Sequence, residues 1–286
     1  MDFTKLQGVA NDFVLIEAEN LERDWSGLAI RICDRHLGIG ADSMLLLLPS
    51  EKADFRMVTY DADGYEAEIC GNGLRCLARY AIEKGVVRSD NEEITIETAA
   101  GISRLKPYRE NGIISGFRAD IGKPGFNAED IPVTINSGVG EIVDIKGLLN
   151  YKVTVAEYNL TLYLVSMGNP HAVCLLDESV AGFPLSRLGP LVEHLPVFLR
   201  RTNFEVARIV SKNIIEARVW ERGVGETMAC GSGAGAVFVV SGLLGYTGNK
   251  VDIKLPGGIL QLEYGENRQV ILSGPAEIVY EGKWPD

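Results

Sequence analysis

Residues 220–233 read WERGVGETMACGSG and residues 60–73 read YDADGYEAEICGNG, two copies of one pattern in opposite halves of the chain. In each copy an aromatic (Tyr60, Trp220) lies ten residues before a cysteine (Cys70, Cys230). An acid follows the aromatic (Asp61, Glu221), and a glutamate stands four residues before the cysteine (Glu66, Glu226). Working outward, a glycine follows each cysteine by 15 residues (Gly85, Gly245), where a helix should end. A strand-like stretch comes next in both halves, ITIETAAGI at 94–102 and VDIKLPGGI at 251–259. Upstream, QGVANDFVLI around Asn11 is similar to VSMGNPHAVCL around Asn169, and the spacing from asparagine to cysteine is 59 residues in one half and 61 in the other. Four landmarks in one order at near-equal spacing identify a duplicated domain, and two copies are too few for a solenoid.

Composition agrees with two domains of ordinary size. The chain has 286 residues, of which 46% are hydrophobic and 23% charged, as in globular proteins with ample core. A net charge of −11 argues against nucleic acid, whose phosphates demand a basic face. The start, MDFTKLQGVANDF, has no basic segment leading into an apolar one, so no signal peptide is expected. The longest apolar run, within 234–244, is too short to span a bilayer. Five cysteines without CxxC pairs (Cys33, Cys70, Cys76, Cys174, Cys230) argue against a disulfide scaffold or zinc ribbon and for the cytoplasm.

Short β-rich stretches separated by glycine or proline turns dominate: 13–17, 43–48, 55–60, 94–97, 116–121, 162–166, 172–176, 205–210, 214–219 and 269–273. Residues 21–35 have helical spacing and should cover the outside. After Cys70, Leu74, Leu77, Ala78, Ala81 and Ile82 fall on one helix face. The helix after Cys230 is apolar nearly all round and must be buried on every side. The expected fold class is α/β (α+β): two pseudo-symmetric domains, each a curved mixed sheet or barrel wrapped around a central helix. The expected domains are 1–124 with 276–286, carrying Cys70, and 125–275, carrying Cys230, with the boundary near Gly122–Gly125.

Each cysteine precedes a helix, where unpaired N–H groups and the positive end of the dipole gather. A thiol there should lose its proton more readily. A carboxylate should also bind there, on the amides of Gly71, Asn72, Gly73, Gly231, Ser232 and Gly233. Two thiols facing one carbon could take a proton from one side and return one to the other. Taken singly, each cysteine could equally be a small buried hydrophobe, and Cys33, Cys76 and Cys174 are read that way. A zinc site on Cys70 and Cys230 lacks partners at ligand spacing. Residues 231–235 are glycine-rich but lack the lysine of a phosphate loop, and Gly38-Ile39-Gly40-Ala41-Asp42 reads as a turn. Among the histidines, His171 stands out over His36 and His194, because it occupies the repeat position of Phe13 and breaks the symmetry with a polar ring.

The segments GVANDFVLI, HLGIGADSMLLL, ADGYEAEICGNGLRCLARY, VSMGNPHAV, RRTN and WERGVGETMACGSGAGA together resemble the diaminopimelate epimerase family, from Lys5 to about Leu244. That resemblance implies two pseudo-symmetric domains with the active site between them. It implies cofactor-free interconversion of LL- and meso-diaminopimelate, on the route to lysine and peptidoglycan, by a homodimer whose partner is a small amino acid. Cys70 and Cys230 would be the acid/base pair, with Glu221 and His171 supporting proton transfer. Asn11, Asn169, Asn203, Glu221 and Arg222 would contact substrate, and the amides of Gly71, Asn72, Gly231 and Ser232 would hold the reacting carboxylate. The chain departs from the family pattern at Gln7, Ala10, Ser43, Asp61 and Tyr65. Ser43 and Asp61 belong to the positions that would line the substrate. Asp61 replaces an asparagine that would face the far end; a carboxylate there repels a distal carboxylate and attracts a distal ammonium. The departure bears on the substrate and not on the reaction type, leaving a same-fold epimerase of another amino acid as the alternative. A thiol redox or metal-binding protein using Cys70 and Cys230 is the reading from a different class.

Overall fold

The structure, a computed structural model, describes residues 1–67, 70–134, 141–145 and 147–285. The chain divides into two compact units, Met1–Asp120 with Ser273–Asp286, and Ile121–Leu272. It is a mixed α+β, sheet-dominated fold with four α-helices among the described residues.

In the first unit Asp2–Gly8 lies antiparallel between Glu277–Lys283 and Asn11–Glu17. Asn11–Glu17 runs parallel to Ser43–Leu48, which pairs antiparallel with Phe55–Asp61. Phe55–Asp61 runs parallel to Ile94–Thr98, and two hairpins complete the sheet through Gly101–Glu110 and Ile113–Asp120. Helix α1 (Trp25–Cys33), capped by the Asp24 carboxylate accepting from Gly27 N at 2.9 Å, packs Leu28, Ala29 and Ile32 on the outer face. Helix α2 (Gly71–Glu83) touches strands from Asp2–Gly8 round to Ile113–Asp120 and Glu277–Lys283, so the sheet curves about it. Its first half is buried on more sides than the one-face spacing suggested, since Asn72, Arg75 and Cys76 are buried along with Leu74, Leu77 and Ala78.

The second unit repeats this order. Tyr158–Ser166 pairs antiparallel with Pro170–Leu175, which runs parallel to Asn203–Ser211, then antiparallel to Ile214–Glu221, then parallel to Lys250–Leu255 and back through Gly258–Tyr264. The registers match as well: Phe13 faces Ser43 and Met44 faces Tyr60, while His171 faces Asn203 and Phe204 faces Trp220. Helix α3 (Leu185–Glu193), absent from the elements expected above, covers the outer face through Leu185, Leu188 and Val192. Helix α4 (Gly231–Leu243) is buried continuously from Gly233 to Ser241, as its all-round apolar sequence requires. Leu243, at its end, is half-exposed. Gly85 and Gly245 end the two central helices at φ +74° and +81°, conformations in which a side chain would be strained. The stretches 94–102 and 251–259 are each the start of a hairpin and not one strand, because turns at Ala99–Ala100 and Pro256–Gly257 interrupt them.

Candidate active site

Cys70 and Cys230 stand in the same local structure. Each is the N-cap of its unit's central helix in an extended conformation, φ −134° and ψ 107° for Cys70, φ −126° and ψ 121° for Cys230. Each sulfur accepts the third amide of its helix, Gly73 N to Cys70 Sγ and Gly233 N to Cys230 Sγ, both at 3.4 Å. The positive helix end therefore points at both sulfurs.

Around Cys70, the Asn11 Oδ1 accepts from Asn72 Nδ2 at 3.0 Å and lies 3.9 Å from Cys70 Sγ. Asn11 Nδ2 donates to Asp42 Oδ2 at 2.7 Å, and Asp42 in turn accepts from Arg35 Nη2 at 2.7 Å. Asp12 is clamped by Arg35 and by Lys5, whose ammonium also reaches the Gly40 carbonyl. Although burial opposes ionisation, those two cations bring the Asp12 carboxyl down to about 2. This charged network holds the Asn11 turn. Ser43 Oγ donates to Asp61 Oδ1 at 2.9 Å. Burial nevertheless raises the Asp61 carboxyl above its ordinary value, with Asp63 and Asp42 adding to the effect. Gly71 is exposed at the helix start.

Around Cys230, Ser232 Oγ lies 3.5 Å from Cys230 Sγ and accepts from Asn169 Nδ2 at 3.4 Å. Asn169 Oδ1 lies 2.8 Å from His171 Nε2, and His171 Nδ1 lies 2.7 Å from Glu205 Oε1. Glu221 accepts from Thr227 Oγ1 at 2.5 Å. Asn203 spends its amide on the scaffold: Nδ2 donates to the Pro170 carbonyl and Oδ1 accepts from Arg222 N, each at 2.9 Å. The Arg222 guanidinium donates to the Arg200 carbonyl at 3.1 Å. Buried Glu193 braces the turn that carries Glu221 and Arg222, accepting from Trp220 Nε1 at 2.8 Å and from Gly223 N and Arg201 Nη1 at 3.0 Å.

Thus Cys70, Asn72 and Asn11 are joined in one unit, next to the Ser43–Asp61 pair. Cys230, Ser232, Asn169 and His171 are joined in the other. The expectation of an easily ionised thiol fails at Cys230. Burial pushes it well above the ordinary thiol value, the Glu221 charge pushes the same way, and the Ser232 and Gly233 hydrogen bonds only partly offset them. Alkylation of Cys230 by iodoacetamide, read by peptide mass spectrometry, should therefore be slow at pH 7 and quicken as the pH rises. A rapid, pH-independent reaction would contradict this. Cys33, Cys76 and Cys174 are core residues; burial pushes Cys33 to about 12 and Cys174 to about 11, and Cys76 higher still.

Sequence reasoning missed Glu205, Asp42, Thr227, Glu193 and Arg75. Glu205 had a signal, an acid set between Phe204 and Val206 in the buried part of its strand. Arg75 had one too, a cation in a helix that the fold surrounds.

The diaminopimelate epimerase profile matches residues 3–125 and 163–279, which takes in both cysteine segments. The chain belongs to the diaminopimelate epimerase family. It is 43% identical over 291 residues to the diaminopimelate epimerase of Pelotomaculum thermopropionicum, covering 100% of this chain and 99% of that one. It is 41% identical over 286 residues to that of Methanococcus maripaludis, with 99% of each covered. Its fold is similar to that of a phenazine biosynthesis protein from Bacillus anthracis (TM-score 0.69, 17% identity, 99% and 98% covered). It is also similar to that of a probable proline racemase from Agrobacterium radiobacter (TM-score 0.68, 14% identity, 99% and 92% covered). Membership of the epimerase family makes the chain an isomerase acting on amino acids. Among the described residues no helix is long and apolar enough to cross a membrane.

Proposed function

We propose that this epimerase interconverts LL- and meso-diaminopimelate without a cofactor, using Cys70 and Cys230 as a two-base pair. The observation that carries the reading is the matched N-cap geometry of the two cysteines, one per repeat, in a chain of this family.

One sulfur, as thiolate, takes the α-proton, and the C–H electron pair delocalises into the adjacent carboxylate. The other sulfur, as thiol, delivers a proton to the opposite face, and the two protonation states are exchanged at the end of the turnover. The difficult species is the carbanion, whose charge grows on the carboxylate oxygens. Preformed amides at Gly71, Asn72, Gly231 and Ser232, each at a positive helix end, are suited to meet that charge, and loss of one such donor typically costs about 3 kcal/mol. Glu221 and His171 assist proton movement, and Asn11, Asn169, Asn203 and Arg222 orient the substrate directly or through the turns they hold. The substrate is the protein's small-molecule partner; the working protein is a cytoplasmic homodimer in the lysine and peptidoglycan route.

A second reading, the same chemistry on another amino acid, is favoured by one observation. Asp61 and Ser43, at positions where the family pattern differs, form a hydrogen-bonded pair. The test is incubation in heavy water with LL-diaminopimelate and, separately, with a panel of amino acids, following α-proton exchange by NMR and inversion by circular dichroism. Exchange and inversion confined to diaminopimelate are expected. Turnover of another amino acid alone selects the second reading, and none with any substrate under reducing conditions rejects both.

A further inference from the structure

We propose that Glu205 is a positioning residue of this epimerase: its buried carboxylate shares one proton with His171 Nδ1 and so fixes the direction in which the His171 ring and the Asn169 amide face the Cys230 end of their unit. The inference rests on the proposed two-thiol reading for its catalytic consequence, but not for its structural content.

Hydrogen-bond directions set the proton count. Asn169 Nδ2 donates to Ser232 Oγ, so Asn169 Oδ1 is turned to His171, 2.8 Å from Nε2. A carbonyl oxygen only accepts, so Nε2 carries a hydrogen. The 2.7 Å contact between Nδ1 and Glu205 Oε1 then needs one proton between them. Whether that proton sits on nitrogen or oxygen, the pair has no net charge. That is how a carboxylate and an imidazole, both with 0% of their side chains exposed, share an interior. Burial alone would push the Glu205 carboxyl up, and the charge and hydrogen bond of His171 pull the other way. Among the described residues the other oxygen, Oε2, has no hydrogen-bond partner, so Oε1 is the oxygen that meets the ring. A Cβ added at Gly233 would stand 2.9 Å from Oε1, which places the carboxylate against the first turn of α4.

The repeat supplies the control. Phe13 faces Ser43, two residues before Leu45; His171 faces Asn203, two residues before Glu205. The first unit therefore fills the same two places with Phe13 and Leu45, both 0% exposed, and Leu45 is the atom group that a Cβ at Gly73 would meet, at 3.1 Å. An apolar pair satisfies the packing at this point of the fold. A polar pair there carries a desolvation cost that packing does not repay, and what it adds is direction: a ring with fixed protons, next to an amide with a fixed orientation. An unoriented acid or base loses much of the 10²- to 10⁴-fold that such groups contribute.

The test uses the full-length protein and two variants. In the wild type, His171 Nε2 should carry a hydrogen, and the proton between Nδ1 and Glu205 should appear far downfield by ¹⁵N-resolved NMR. Glu205→Gln should lose that downfield signal and drop kcat about 100-fold while KM stays within about threefold. The double variant His171→Phe/Glu205→Leu installs the first unit's pair. It should melt no lower than the wild type and yet lose turnover at least 100-fold. A double variant turning over within threefold of wild type would show the pair to be packing alone and overturn the proposal. So would a Glu205→Gln protein with unchanged kcat and ring spectrum. Should the wild type turn over no amino acid, the two-thiol reading falls, while the ring spectra still decide whether Glu205 holds the proton of His171.

Discussion

Cys70→Ala and Cys230→Ala should each abolish inversion, with kcat reduced at least about 10⁴-fold, the upper end of what one acid or base contributes. Inversion needs a donor and an acceptor on opposite faces of one carbon, so loss of either stops it. The variants should differ in what remains. A protein with one thiol can still take a proton from the stereoisomer presented to it and return a solvent deuteron to the same face. Each single variant should therefore retain slow exchange, with retention, of one stereoisomer only, and the two variants should retain opposite ones. The fold should survive both changes. Each alanine removes one N-cap acceptor, the sulfur that takes Gly73 N or Gly233 N, at a cost of about 1 kcal/mol. Near wild-type inversion in either variant, at unchanged melting temperature, would refute the two-thiol mechanism.

The duplication made the central helices, their cysteine caps and their terminal glycines legible, because each signal appears twice at matching spacing. Strands such as Ser43–Leu48 were legible for a simpler reason: a buried strand of β-prone residues between turn signals has few other conformations open to it. Other elements were harder. Asp2–Gly8 buries Thr4 and Lys5 among its apolar residues, which breaks its alternation, and α3 carries Gly189 and Pro190, which read as turn signals. At the site, residue types with a chemistry of their own could be read from spacing. The residues that hold them could not, because Asp42, Glu193 and Thr227 matter only through partners 31, 27 and 6 positions away. Ionisation was also beyond spacing. A helix start favours a thiolate, but the depth at which Cys230 is buried decides against it, and depth is a property of the folded chain.

Arg75→Ala should destabilise the first unit by about 3–5 kcal/mol, and Arg75→Met by far less, although both remove the same charge. The Arg75 side chain is 1% exposed and, among the described residues, donates to uncharged acceptors: Asn72 Oδ1 at 2.6 Å, the Gly71 carbonyl at 3.3 Å and the Pro275 carbonyl at 3.3 Å. Burial works against its charge, and no carboxylate among the described residues bonds to it. Removing the guanidinium takes one donor from each of three acceptors, at up to roughly 1–3 kcal/mol apiece, and abolishes the desolvation cost of the cation, which is of similar size. Those effects largely cancel in Arg75→Met, which also fills most of the volume. Alanine leaves the volume empty as well, and a cavity of that size costs several kcal/mol. The second unit shows the complementary solution: the equivalent position is Gly235, and Ile121 and Met167 fill the space beside it. Chemical denaturation should give this ordering. If Met proves as damaging as Ala, the three hydrogen bonds dominate and the charge is cheap to bury. Catalysis should not follow stability here. Arg75 holds Asn72 Oδ1, and Asn72 holds Asn11 beside Cys70, so Arg75→Met should lose at least 10-fold in turnover while remaining folded. A folded Arg75→Met protein with full activity would show that the Cys70 site keeps its geometry without that brace.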